Sequence, residues 1–161
     1  MGGVQAGLLH PSRDIDGLAP DTEYTYQLGS ASAGWSSNHT FRTGPGAGDF
    51  DFIFVGDPQM GTSGDLETET AQWQRTLDSA WEMYPQAQLL VSAGDQVDQV
   101  VFAADREYTA FKTPEQLTRY PLATTLGNHD IFQLAYGDHF NLPNHDGSSG
   151  AIGGHYHYTY H

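Results

Sequence analysis

Leu66, Thr70, Trp73, Leu77, Ala80, Trp81 and Tyr84 recur at intervals of three and four, which places them on one face of a helix from about Leu66 to Met83. Pro85 ends it. Three short apolar runs behave differently. Phe50-Asp51-Phe52-Ile53-Phe54-Val55-Gly56, Leu89-Leu90-Val91-Ser92 and Leu122-Ala123-Thr124-Thr125-Leu126 are too short for helices and run into glycine or another small residue, as strands do. Between the second and third, Ala103 to Phe111 suits a short helix, and Thr113-Pro114-Glu115-Gln116 has a capping-box pattern with proline at the first helical position. Tyr120-Pro121 closes that segment. The order β-α-β-α-β predicts an α/β unit with a mainly parallel sheet. Trp73 and Trp81, on the apolar stripe of the long helix, are expected to pack against it.

The first 43 residues carry a strand pattern instead: Gln5 to Leu9, then Glu23-Tyr24-Thr25-Tyr26-Gln27-Leu28 with aromatic alternation, then His39-Thr40-Phe41-Arg42. Gly44-Pro45-Gly46-Ala47-Gly48 reads as a linker, and Asp49 opens the second unit. The division is therefore 1–44 and 49–161. At the other end, Ala151 to His161 alternates aromatic and polar residues and reads as a strand over Tyr156 to Tyr160.

Composition narrows the classes of partner. With 161 residues and 38% hydrophobic content the chain can bury a core, and no run approaches the roughly 18 apolar residues of a membrane span. Six basic against 20 acidic residues give a net charge of −14, which repels nucleic acid and anionic membranes and favours cations. The absence of cysteine excludes disulfides and thiolate ligands, leaving carboxylate, amide and imidazole for any metal. Met1-Gly2-Gly3-Val4 has neither the basic region nor the apolar stretch of a signal peptide.

The candidate chemistry sits at the ends of the three runs. Asp57-Pro58-Gln59, Gly94-Asp95-Gln96-Val97-Asp98 and Gly127-Asn128-His129-Asp130 each follow a predicted strand, and open α/β sheets gather their ligands at the carboxyl ends of strands. Hard divalent cations take oxygen ligands, so Asp57, Asp95 and Asn128 are candidate metal ligands. A carboxylate can bridge two cations about 3.5–4 Å apart, and Asp95, on the middle motif, is the candidate bridge. His129 follows a ligand directly and is placed to hydrogen-bond a substrate or protonate a leaving group.

These three motifs resemble the first three of the calcineurin-like metallophosphoesterase superfamily. Leu18-Ala19-Pro20-Asp21-Thr22-Glu23-Tyr24 resembles the corner of a fibronectin type III domain, in which a tyrosine hydroxyl bonds to upstream backbone. Together they make the chain resemble a purple acid phosphatase-type enzyme of bacterial kind. That resemblance implies half of a metallophosphoesterase sandwich behind a partial fibronectin-like segment, and hydrolysis of phosphate esters by two metal ions (iron, manganese or zinc). Asp57 would bind one ion, Asp95 both and Asn128 the second, with His129 assisting catalysis. It also implies an extracellular or periplasmic location.

Three departures modify the expectation. The position where purple acid phosphatases carry the iron-binding tyrosine is Asp98, expected here as a supporting rather than ligating carboxylate, so a purple site is not expected. Gln59 stands where many members have histidine and would bind through its amide oxygen or through water. Asp130 replaces a glutamate next to the histidine, in a supporting rather than ligating place. The family's later histidine motifs lie well downstream, and although Gly154-His155-Tyr156-His157 matches the last of them by letter, it arrives too early. The chain is therefore expected to cover only the front of the catalytic domain and to be inactive alone. Two alternatives stand beside this reading: a non-catalytic metal- or partner-binding β module, and zinc chelation by His155, His157 and His161 on one face of a tail strand.

Overall fold

A computed structural model describes residues 14–99, 104–131, 135–145, 156, 157 and 159. The second unit is mixed α/β around a parallel three-stranded sheet. Its strands β5 (Asp51–Val55), β6 (Ala87–Ser92) and β7 (Leu122–Thr124) lie side by side in chain order. Helix α1 (Leu66–Met83) makes the first crossover, and α2 (Ala104–Phe111) with the short α3 (Gln116–Arg119) makes the second. The parallel register pairs Ile53 with Leu90 and Leu90 with Leu122, so one face carries Ile53, Leu90 and Leu122. That face meets Trp73, Leu77, Trp81 and Phe111 in the core.

Helix α1 keeps the predicted limits for identifiable reasons. Asp65 caps it, accepting from the Thr68 N–H at 3.2 Å and the Thr68 hydroxyl at 2.8 Å, and Glu67 and Glu69 put negative charge in the first turn, where the helix dipole favours it. Leu77 is fully buried. Trp73 and Trp81 are buried with their indole N–H groups donating to Phe111 O and Ala87 O, each at 3.0 Å. Tyr84, by contrast, is not on the packed face. It is the C-terminal cap, 55% exposed.

Several expectations shift. Thr113 does not cap α3: its hydroxyl donates to Thr109 O, and Glu115 occupies the cap position with no side-chain bond. A fourth helix, α4 (Ala135–His139), follows β7. It buries Tyr136 and the adjacent Phe140 against Tyr108. In the tail, Tyr156, His157 and Thr159 lie in no strand. His157 is held instead by the Pro143-Asn144 turn, its N–H donating to Pro143 O and its carbonyl accepting from Asn144 Nδ2. Backbone already bonded to a turn has no groups left for a ladder at that residue. His155, Tyr158, Tyr160 and His161 lie outside the described residues, as does the expected Gln5–Leu9 strand.

In the first unit, β1 (Glu23–Tyr26) pairs antiparallel with β4 (His39–Arg42), with Tyr24 stacked on Phe41. A small hairpin of β2 (Gly29–Ser30) and β3 (Gly34–Trp35) lies between them in sequence. The Tyr24 hydroxyl accepts from the Ala19 N–H at 2.8 Å, the predicted upstream backbone bond. Tyr26 ties the unit to α3, donating to Thr118 O at 2.7 Å.

Candidate functional site

All three predicted strand ends meet at the carboxyl edge of the sheet. The first two are joined by backbone: Asp57 N–H donates to Gly94 O at 3.3 Å, Gln59 N–H to Asp95 O at 2.9 Å and Met60 N–H to Gln96 O at 3.1 Å. Met60 and Val97 form a parallel bridge beyond the named strands. The third is joined by close contact of two glycines. A Cβ on Gly94 would lie 2.6 Å from Gly127 N, and one on Gly127 would lie 2.0 Å from Asp95 Oδ1. No side chain fits between them. The His129 N–H then donates to Asp95 Oδ1 at 2.8 Å, so the middle carboxylate holds the turn that carries Asn128 and His129.

Asp57, Gln59 and Asp95 adopt left-handed backbone, with φ of 52°, 38° and 52°. Residues other than glycine reach this region at a cost of order 1–3 kcal/mol and persist there when their surroundings enforce it, commonly at functional sites. All three lie in the loops after β5 and β6, where the backbone bonds between Asp57 and Gly94 and between Gln59 and Asp95 hold them. Asp57 and Asn128 are exposed, while Asp95 is buried.

His129 is held at both nitrogens. A carbonyl can only accept, so the 2.6 Å contact between Nδ1 and Asp98 O puts a proton on Nδ1. In the neutral ring Nε2 is then an acceptor, and the Gln59 amide N–H at 3.1 Å supplies its donor. This bond to the Asp98 carbonyl, aided by the negative charges of Asp95, Asp98 and Asp130, raises the pKa of His129 above the ordinary imidazole value. When His129 is protonated, Nε2 becomes a donor, and Gln59 must present its oxygen instead. The expectation that His129 points freely at a substrate therefore needs amending: Gln59 occupies the position from which it would act.

Asp130 is fully buried, and its carboxylate organises the turn from within. Oδ2 accepts from Gly127 N–H at 2.9 Å and Gln96 N–H at 3.4 Å, and Oδ1 accepts from the Tyr108 hydroxyl at 2.8 Å. Burial pushes its pKa up against these bonds. Asp98, expected as a supporting carboxylate, supports mainly through its backbone; its Oδ1 is 3.9 Å from His129 Nδ1.

Sequence reasoning missed Glu107 and Tyr108 on α2. The buried Glu107 accepts from Asp98 N–H at 3.1 Å and Gln99 N–H at 2.9 Å, fixing the loop that bears Asp98, and its pKa is raised by burial. Tyr108 contacts Asp130, and no signal short of the tertiary structure links α2 to these loops.

Asp57, Asp95, Asn128 and Gln59 are all oxygen donors, a set suited to a hard cation. Among the described residues no three His, Asp or Glu side chains are grouped so as to hold an ion by themselves. A cation here would depend on the amides of Gln59 and Asn128 as well as on the two carboxylates. Beside the site opens a cleft of about 890 Å³, which reaches Asp57 and Gln59 and runs along the first turns of α1.

Comparison of the chain with protein-family models, with curated proteins and with solved structures finds no match. No helix among the described residues is long and apolar enough to cross a membrane.

Proposed function

We propose that this edge is a metal-dependent phosphoesterase site of the calcineurin-like kind, acting on phosphate esters. The observation that carries the reading is the meeting of three strand ends that present Asp57, Asp95, and Asn128 with His129, two of them on left-handed backbone and joined through Asp95. Asp57 and Gln59 would hold one cation, Asn128 a second, with Asp95 between them. Bound cations would polarise phosphoryl oxygen and lower the pKa of water. This chain's own residues do the rest. The buried Asp95 fixes the His129 turn, Asp98 O holds the proton on Nδ1, and Gln59 keeps Nε2 in place until a substrate oxygen displaces it. Four donors are few for two ions, so the chain by itself should bind metal weakly and turn over slowly.

The test is calorimetry with zinc or manganese, followed by inorganic phosphate binding and hydrolysis of p-nitrophenyl phosphate, with His129→Ala as background. Metal-dependent phosphate binding is expected. Its absence would refute the proposal. A second reading, a non-catalytic metal- or partner-binding module, is favoured by the lack of a group of three charged ligands among the described residues. That reading predicts metal binding with no phosphate binding and no hydrolysis.

A further inference from the structure

We propose that the cleft beside Asp57 receives the alcohol part of the ester and selects an uncharged, polyhydroxylated group of sugar or polyol type over aromatic or polyanionic ones; this rests on the phosphoesterase reading above. The cleft's volume, about 890 Å³, lies within the roughly 300–1,000 Å³ of small-molecule sites. It is continuous with two of the candidate ligands, so an ester with its phosphoryl group at the strand ends would extend its other half into it.

The lining decides what that half can be. Thr62, Thr68 and Thr76 contribute hydroxyls, Gln72 an exposed amide, and Asp65 and Glu69 carboxylates; the described residues around the cleft include no lysine, arginine or histidine. Both carboxylates are held below their usual pKa range, so they are ionised. Asp65 is held there by the Thr68 hydroxyl and N–H. For Glu69, partial burial pushes the other way, and bonds from the N–H groups of Ser63 and Gly61 outweigh it. Those bonds also fix the two groups in position. A carboxylate has about four acceptor sites, and each of these uses two in the bonds named, which leaves capacity for substrate hydroxyls.

A second phosphate or a carboxylate lying along α1, beyond the strand ends, would face two like charges with no basic side chain in the lining to offset them. The hydroxyls of Thr62, Thr68 and Thr76 already donate to Gln59 O, Asp65 Oδ2 and Gln72 O and offer only their acceptor sites, but an aryl group would leave the Gln72 amide and the open acceptor sites of both carboxylates facing it without partners. A polyol satisfies donors and acceptors together. Trp73 forms part of the wall but is 7% exposed and stacked on Phe111, so the cleft offers little free aromatic surface to an aryl ring.

The experiment titrates the zinc-loaded chain with inorganic phosphate, glucose 6-phosphate, phenyl phosphate and ATP, reading affinity by calorimetry and location by amide NMR shifts. Glucose 6-phosphate should bind about tenfold more tightly than phenyl phosphate, the equivalent of roughly one good hydrogen bond. It should shift the amides of Thr62, Thr68 and Gln72, and ATP should bind more weakly than glucose 6-phosphate. Replacing Gln72 and Thr76 together (Gln72→Ala, Thr76→Val) should bring the ratio of the first two affinities towards one. Both positions are solvent-facing on α1, so the fold should survive, and the far-UV circular dichroism of the variant checks that it does. Equal binding of glucose 6-phosphate and phenyl phosphate, tighter binding of ATP, or a ratio untouched by the double substitution would overturn the proposal while leaving phosphate binding at the strand ends intact. Failure of inorganic phosphate itself to bind would remove the phosphoesterase reading and this inference with it.

Discussion

Replacing Gly127 with alanine should damage the protein more than its size suggests, and the structure separates the causes. Gly127 does not need left-handed backbone, so the substitution carries no dihedral penalty, but the added Cβ would lie 2.0 Å from Asp95 Oδ1 and 2.3 Å from Asp95 N. The side-chain oxygen can swing away, at the loss of its bond from His129 N–H. The backbone nitrogen cannot move without opening the junction between strand ends. Overpacking costs typically about 1–3 kcal/mol, and losing a hydrogen bond to a charged group adds about 1.5–3, so a loss of roughly 3–5 kcal/mol is expected. That is a large part of the 5–15 kcal/mol usual for a domain.

Gly64→Ala is the control. Gly64 has φ +78° and nothing within 4 Å of an added Cβ, so it isolates the left-handed penalty, about 1–2 kcal/mol. Gly94→Ala combines φ +98° with a 2.6 Å approach to Gly127 N and should be at least as costly as Gly127→Ala. Urea unfolding followed by the fluorescence of the buried Trp73 and Trp81 gives the three differences from midpoints at a common slope. Zinc affinity should fall with Gly94→Ala and Gly127→Ala and hold in Gly64→Ala. If Gly127→Ala costs under about 1 kcal/mol, or no more than Gly64→Ala, the close approach of the two strand ends is refuted.

Tyr108→Phe removes a donor from the buried Asp130 and should cost about 1.5–3 kcal/mol in the same assay; a neutral result would mean the carboxylate does not depend on α2. Glu107 and Asp130 both have pKa values raised by burial. The stability each gains is complete below the ordinary carboxylate pKa and is lost as pH climbs through the raised folded value. Glu107→Gln keeps an acceptor for Asp98 and Gln99 N–H, so denaturation curves taken from about pH 4 to 7 should show a shallower decline for the variant than for the wild type, and an identical slope would contradict the assignment. Metal binding measured by calorimetry should suffer more from Asp95→Asn than from Gln59→Ala, because the proposal places Asp95 between two cations; equal losses would remove its bridging role. Iron loading should give no purple band, since Asp98 stands where the resemblance places the iron-binding tyrosine and the phenols of Tyr108 and Tyr136 are buried, bonded to Asp130 and Thr124 and pushed up in pKa. A strong visible absorbance would show that one of them ionises after all.

What the sequence made legible was whatever rests on local pattern. The stripe from Leu66 to Trp81 and Pro85 define α1 without reference to anything distant. The β-α-β-α-β order and the three motifs at strand ends follow from alternating runs and glycine. What it could not show depends on contacts between distant residues. Helix α4 contains Gly137 and Asp138, both poor helix formers, and it forms around Tyr136 and Phe140 packing on Tyr108. Thr113 had the letter pattern of a cap, but its hydroxyl had a nearer acceptor in its own preceding turn, Thr109 O. Glu107 reads as an ordinary solvated charge on α2. It is buried because Gly61, with φ +112°, brings its loop so close that a Cβ there would lie 2.4 Å from the Glu107 carboxylate.

The site residues were identified as side chains, yet much of what holds them is backbone. Asp98 was expected to act through its carboxylate, but the group that sets the His129 tautomer is its carbonyl, which any residue would supply. Its position is set in turn by Glu107, which grips the N–H groups of Asp98 and Gln99, and by the Asp98 N–H bond to Met60 O. Met60 stands in the loop that begins with Asp57 and Gln59. The ring that faces Gln59 at one nitrogen is thus anchored at the other through a loop hydrogen-bonded to Gln59's own. Displacement of either loop would change the distance between Gln59 and His129, whatever residue occupies position 98. A change of side chain at position 98 should therefore leave the way His129 is held undisturbed, because the bond to Nδ1 comes from main chain.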